Sequence, residues 1–313
     1  MEKYFSIEDI PKIEKCILTI GTFDGLHRGH QEILKHLVSL GKAKDTKSVV
    51  VTFDPHPRQV ITNDILLLLQ SLEQKLGILE KLQIDIVIII PFTKDFSKFS
   101  AAIFLDSIII PKLNPEHIVI GYDHHFGKNR DGSPQFMKQY CEENHITLDI
   151  IDPVSDEGNK ISSTGIRDLI QNGYVRRASF ELGRVFGFDT IVVHGKGRGQ
   201  LLDYPTANIV PIEENQLLPK PGVYFTRGRV NGLQLYGMCN FGVRPTFSEH
   251  ELIMEVHFFD PGITDFYEQR VYIEFLERIR DEKKFKSKDD LIKQLINDEI
   301  LCKSLQKKYM QIQ

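Results

Sequence analysis

The chain has 313 residues, of which 41% are hydrophobic and 26% charged, with a formal net charge of −4. That length and composition suit a globular protein with two separate cores, while a net negative charge argues against a general nucleic-acid binder. Four scattered cysteines (Cys16, Cys141, Cys239, Cys302) without a CxxC pair suggest neither a disulfide framework nor a zinc site, and point to a reduced, cytoplasmic setting. The polar, acidic start of the sequence is unlike a signal peptide, and the apolar runs at 65–69 and 86–90 are too short to span a bilayer, so no membrane partner is expected.

Strands are expected at 17–22, 48–53, 84–91, 117–121 and 147–151, with helices at 31–41, 72–82 and 101–113 between them. This α/β alternation implies a Rossmann-like parallel sheet covered on both faces, with functional loops at the carboxyl ends of the strands. The first strand runs into Gly21-Thr-Phe-Asp-Gly-Leu-His-Arg-Gly-His30, and a helix follows. Gly21 and Gly25 let the backbone approach a ligand closely. His27 and His30 fall at a helix N-terminus, where free amides and the helix dipole favour phosphate. An ordinary βα turn or an i, i+3 metal pair are the alternatives for these histidines. Thr52-Phe-Asp-Pro-His-Pro57 ends the second strand, and its prolines point His56 outward. Ile120-Gly-Tyr-Asp-His-His-Phe-Gly127 ends the fourth and carries Asp123. Gly127 to Ser133 has the glycine spacing of a P-loop, but Ser stands where Lys is required. Ser162-Ser-Thr-Gly-Ile-Arg167 opens another helix. Its hydroxyls, amides and Arg167 make either a second anion site or a plain N-cap.

Near Gly183 the character changes. Strands are expected at 190–194, 222–230, 233–241, 253–259 and 270–279, with Asn231-Gly232 as a hairpin turn, so the second half reads as an all-β barrel. A terminal helix starts at Ser287-Lys-Asp-Asp290. Gly195-Lys-Gly-Arg-Gly199 follows a strand but precedes no helix, so it is a glycine loop able to fold over phosphates rather than a dinucleotide fingerprint. In Tyr204-Pro-Thr-Ala-Asn-Ile209, Thr206 and Asn208 lie two apart, which in an extended segment puts both on one face. Their oxygens suit Mg²⁺ carried by ATP, although a proline turn with two satisfied side chains fits as well.

The first set of motifs resembles the HxGH nucleotidyltransferases, in particular the bacterial FAD synthetases. The resemblance implies that Gly21, Phe23, Gly25, His27, His30, Ser163, Thr164 and Arg167 bind ATP, and that His56 and Asp123 bind the flavin. His124 and His125 depart from that pattern and receive no role. The second set resembles riboflavin kinase through the glycine loop, Pro-Thr-Ala-Asn, Asn240-Phe-Gly-Val-Arg-Pro-Thr246 and the Glu of Glu255-Val-His257. It implies that Gly195, Lys196, Gly197, Arg198, Gly199, Thr206 and Asn208 bind ATP, with Thr206 and Asn208 on Mg²⁺. Asn240 and Arg244 would bind flavin, and Glu255 would be the catalytic base. Asp260 is the weaker competitor, and a solvent-facing strand glutamate is the bland alternative. Asp203-Tyr204 stands where that family has Gly-Phe, and Thr190-Ile191 where it often has Gly. Together the resemblances imply an adenylyltransferase domain at 1–183 and a kinase domain at 184–313. The expected chemistry is phosphorylation of riboflavin to FMN, then adenylylation of FMN to FAD, with ATP and Mg²⁺. Small-molecule substrates, with at most weak self-association, are the expected partners.

Overall fold

Strand β2 (Cys16–Ile20) is buried along its whole length, as expected of an apolar run in a sheet covered on both sides. In the computed structural model, which describes residues 1–62, 65–194, 204–245, 250–259 and 267–311, the chain divides into two units, Met1–Ser163 and Thr164–Gln313. The first holds β1 (Glu2–Tyr4), β2, α1 (Arg28–Ala43), β3 (Lys47–Asp54), α2 (Pro57–Ile61), α3 (Leu72–Lys81) and β4 (Ile86–Pro91). After these come α4 (Ala101–Phe104), α5 (Ile110–Leu113), β5 (Pro115–Gly121), α6 (Pro134–Glu143), β6 (Thr147–Ile151) and the short ribbon β7 (Ser155–Asp156) and β8 (Asn159–Lys160).

The main sheet is parallel, in the order β1-β4-β3-β2-β5-β6. Alternate residues feed two cores. Leu18, Val49, Val51 and Ile88 pack with Leu105, Ile109 and Met137 on one face, and Ile17, Val50 and Val87 pack with Leu34, Leu37 and Leu79 on the other. The chain leaves β2 toward β3 and β4, then returns to add β5 on the opposite side. The switch point therefore lies at the carboxyl ends of β2 and β5, where ligands bind in such sheets. Between α4 and α5 the helix widens into a π segment, Leu105–Ile109. Pro111 lacks the N–H that would reach the Ser107 carbonyl, and its ring would crowd that oxygen in a regular helix. The edge strand β1 was not expected, because three polar and aromatic residues carry no apolar run.

The second unit holds most of α7 (Ser163–Gln171), then α8 (Val175–Leu182), β9 (Gly187–Val193), β10 (Ala207–Pro211), β11 (Gly222–Val230) and β12 (Leu233–Pro245). It continues through β13 (His250–Phe258), β14 (Arg270–Arg280) and α9 (Lys288–Gln311). The strands close into an antiparallel barrel, β10-β13-β12-β11-β14-β9. Asn231 and Gly232 both have positive φ (48° and 78°), as the tight turn joining β11 to β12 requires. Phe186, Phe188, Tyr224 and Phe275 stack inside. Outside, α9 covers Phe225, Tyr236 and Leu276 with Cys302, and the Arg280 guanidinium grips Asp298 at 2.6–3.0 Å. α8 packs on β14, and the Lys220 amide donates to the Ile170 carbonyl of α7 at 3.2 Å. By packing, both helices thus belong with the barrel, although the motifs divide the sequence at 183/184.

Candidate active sites

The turn after β2 is shaped by three residues with positive φ: Phe23 (46°), Gly25 (75°) and Leu26 (40°). Such a run is costly for side-chain-bearing residues and is held here by burial of Phe23 and Leu26 in the core. The turn delivers His27 as the N-cap of α1. Its Nδ1 accepts the His30 N–H at 3.4 Å, so the proton of the neutral ring sits on Nε2. The His27 and His30 rings stack with centroids 3.7 Å apart. Burial, reinforced by His27 and Lys75, holds His30 well below the ordinary histidine value. The Nδ1 of His30 is buried without a hydrogen-bond partner among the described residues.

Gly21, Phe23, His30, His56 and Asp123 line one cavity of about 750 Å³. His56 does not point outward as expected. It is half-buried, caps α2 by accepting the Arg58 N–H on Nδ1 at 3.1 Å, and its own backbone N–H donates to Gln59 Oε1 at 3.0 Å. Sequence reasoning missed most of the cavity wall. Phe53, Phe92, Phe96, Phe99, Phe104 and Phe126 surround it, with successive rings 5.4–6.3 Å apart. Three of these follow β4 directly, and a cluster of aromatics at the end of a parallel strand was the available signal. Arg58, Lys98, Lys128 and Arg130 add positive charge to the lining. Lys75 was missed as well. It is buried, and its Nζ donates to the Thr22 carbonyl at 2.9 Å and the Thr52 hydroxyl at 3.4 Å. Burial lowers its pKa, with Asp24 and Asp54 opposing.

His27, Gly25 and Ser163 belong to the same unit but lie off the cavity lining. Ser163 donates to the Asp24 carbonyl at 2.8 Å, which ties the start of α7 to the turn. Thr164 is exposed and Arg167 half-buried on α7, in the second unit.

In the barrel, strand register assembles what the sequence scatters. Glu255 of β13 is directly opposite Asn208 of β10 on one side and Asn240 of β12 on the other. Residues opposite one another share a face of the sheet. Their neighbours Ile209, Met254, Val256, Cys239 and Phe241 are buried, so the row of three lies on the outer face. Thr206 sits just before β10 rather than in it. Arg244 lies in register with Glu251. The expected phosphate loop, Gly195 to Gly199, and the competitor Asp260 lie outside the described residues. Among the described residues, no cluster of three His, Cys, Asp or Glu could hold a metal, and no helix is long and apolar enough to cross a membrane.

A doubly wound unit with an HxGH pair at its switch point, joined to a closed barrel with a carboxylate between two amides, defines a two-domain transferase that uses nucleotides. The FAD synthetase family model matches residues 9–165, and the riboflavin kinase model matches 182–305. The chain belongs to the family of bifunctional riboflavin kinase/FMN adenylyltransferases. The Listeria monocytogenes member is 35% identical over 90% of each chain, and that of Bacillus subtilis is 33% identical over 91% of this chain and 90% of its own. A crystal structure described as a macrolide-efflux protein from Streptococcus pneumoniae superposes with a TM-score of 0.89 at 30% identity, covering 97% of this chain and 99% of that one.

Proposed function

We propose that the two sites divide the family's two reactions between the two halves of the chain. The chain phosphorylates riboflavin to FMN with ATP, then transfers the AMP part of a second ATP to FMN, giving FAD and pyrophosphate. The single observation that carries the division of labour is that the Asn208–Glu255–Asn240 row and the His27–His30 pair lie in different units.

In the kinase, Glu255 takes the proton from the primary alcohol of riboflavin as that oxygen attacks the γ-phosphorus of ATP, the bond from that phosphorus to the β-phosphate oxygen breaks, and ADP leaves. Thr206 and Asn208 would hold Mg²⁺, a hard cation that suits a hydroxyl and an amide oxygen, and the bound ion would supply charge neutralisation at the phosphates of ATP. The resemblance assigns the 195–199 segment to ATP, and Asn240 and Arg244 to the flavin.

In the adenylyltransferase, a phosphate oxygen of FMN attacks the α-phosphorus of ATP and the bond to pyrophosphate breaks. No protein nucleophile is needed. His27, His30 and the α1 N-terminus donate hydrogen bonds to the charge that builds on the transferred phosphate. Gly21, Phe23 and Gly25 flank the nucleotide, and Ser163, bonded to the Asp24 carbonyl of the same turn, holds its phosphate tail. The phenylalanine-walled cavity suits a flat tricyclic ring, with His56 and Asp123 at its polar margin. We also propose that the catalytic halves divide at 183/184. Chromatography of riboflavin incubated with Mg-ATP tests the whole scheme. FMN followed by FAD is expected, and FMN alone or no product would refute it.

A further inference from the structure

Tyr204 stands where the family has Phe, next to the segment proposed to hold Mg-ATP. Its hydroxyl has a partner that Phe could not have. Tyr204 Oη donates to Glu299 Oε2 on α9 at 2.9 Å. One turn later on α9, Lys303 Nζ meets the same carboxylate at 2.5 Å and lies 5.6 Å over the Phe259 ring. The Tyr204 ring also packs edge-on against His257, centroids 5.0 Å apart. His257 Nδ1 is 2.8 Å from the Pro205 carbonyl. A carbonyl only accepts, so this nitrogen carries a proton whether the ring is neutral or charged. His257 is two residues past Glu255 on the same face of β13, and Pro205 immediately precedes Thr206.

We infer that Tyr204 and His257 are positioning residues for phosphoryl transfer: they fasten the 206–208 segment to β13 on one side and to α9 on the other, making the C-terminal helix part of the Mg-ATP site. The charges facing the latch support it. Burial disfavours the Glu299 carboxylate, but Lys303, Tyr204 and His257 outweigh it and hold Glu299 below the usual range. The bond is a phenol donating to a carboxylate, one of the stronger kinds.

The inference rests on reading Thr206 and Asn208 as Mg-ATP ligands and Glu255 as the base. The test uses the full chain. Tyr204→Phe removes only the hydroxyl, and KM for Mg-ATP in riboflavin phosphorylation should rise about tenfold with kcat within about twofold. Adenylylation of supplied FMN should not change. Glu299→Leu, which also frees Lys303, should give at least that rise, and the double variant no more than Glu299→Leu alone, because both remove the Tyr204–Glu299 bond. Glu299→Gln keeps an acceptor oxygen and should recover most of the loss. His257→Leu should raise KM, and His257→Gln, which keeps an N–H donor, should do so less. A merely structural role would lower the melting temperature without moving KM selectively, and the two losses would multiply. Wild-type KM in Tyr204→Phe, or multiplying losses, overturns the inference. Glu255→Gln, assayed alongside, separates the two claims. Wild-type turnover there overturns the underlying site, whereas collapse there with unchanged Tyr204→Phe kinetics overturns the latch alone.

Discussion

The two units build their sites in opposite ways. In the sheet unit, the proposed site sits on loops at strand ends, and the HxGH turn is contiguous in sequence. In the barrel, the proposed site lies on the outer wall, where pairing brings Asn208, Glu255 and Asn240 together from three separate strands. A loop site is legible as a motif, because the residues that act together are neighbours in the chain. A site made by register becomes visible only once the pairing is known.

Glu255→Gln, nearly isosteric but unable to take a proton, should separate the two sites most strongly. Riboflavin phosphorylation should fall by about 10²–10⁴, while supplied FMN is still converted to FAD. Loss of both activities in a folded variant would mean that the units are not chemically separate. The reciprocal test is His30→Ala or His27→Ala. FAD formation should drop by about 10²–10³ with phosphorylation intact, which product chromatography reads directly. Thr206→Ala and Asn208→Ala should instead weaken productive Mg-ATP binding and recover in part at higher Mg²⁺.

Truncation sharpens the boundary. A fragment starting at Arg184 should make FMN but no FAD if the catalytic halves divide at 183/184. One starting at Thr164 keeps α8, whose Val175, Ala178 and Leu182 are buried. It should be more stable by about 3–6 kcal/mol, since each large apolar side chain contributes about 1.5–3 when buried. Thermal unfolding of the two fragments decides this, and equal melting temperatures would show that α8 is dispensable to the barrel.

The smallest effect concerns pH. Burial pushes His124 down to about 4, with His125 adding to the shift and Asp123 opposing it. Between about 6.5, the unfolded value, and about 4, the unfolded chain binds a proton that the folded chain does not. The sheet unit should therefore lose stability as pH falls through that window, by at most about 3 kcal/mol from this group, and no further below it. His30, also depressed, acts in the same direction. Denaturant titrations from pH 7 to 4 should show a shallower loss in His124→Phe, and identical slopes would refute the assignment.

Much of the fold was legible because apolar runs and Gly or Pro turns mark parallel strands and hairpins plainly. The expected strand at 147–151 and that at 222–230 coincide with β6 and β11. β10 was hidden in Pro-Thr-Ala-Asn, whose polar residues read as a turn until β9 and β13 pair with it. The histidine pair, Glu255 and the two amides were visible as residue types. The phenylalanine wall and Lys75 were not, since aromatic side chains on loops and a lysine within a helical pattern look like ordinary packing and an ordinary solvated charge.

Lys75 has a consequence for motion. Its ammonium bonds the Thr22 carbonyl in the turn after β2 and the Thr52 hydroxyl of β3 from within α3, and Gln70 just before that helix donates to the Phe23 carbonyl at 3.1 Å. A charge enclosed in this way is not readily released one bond at a time, because each partial opening would leave a buried ammonium short of hydrogen-bond partners. The HxGH turn and α3 should therefore open together, as one cooperative element, and amides of the turn should exchange with solvent at the slow rate of the helix rather than at the fast rate of a surface loop.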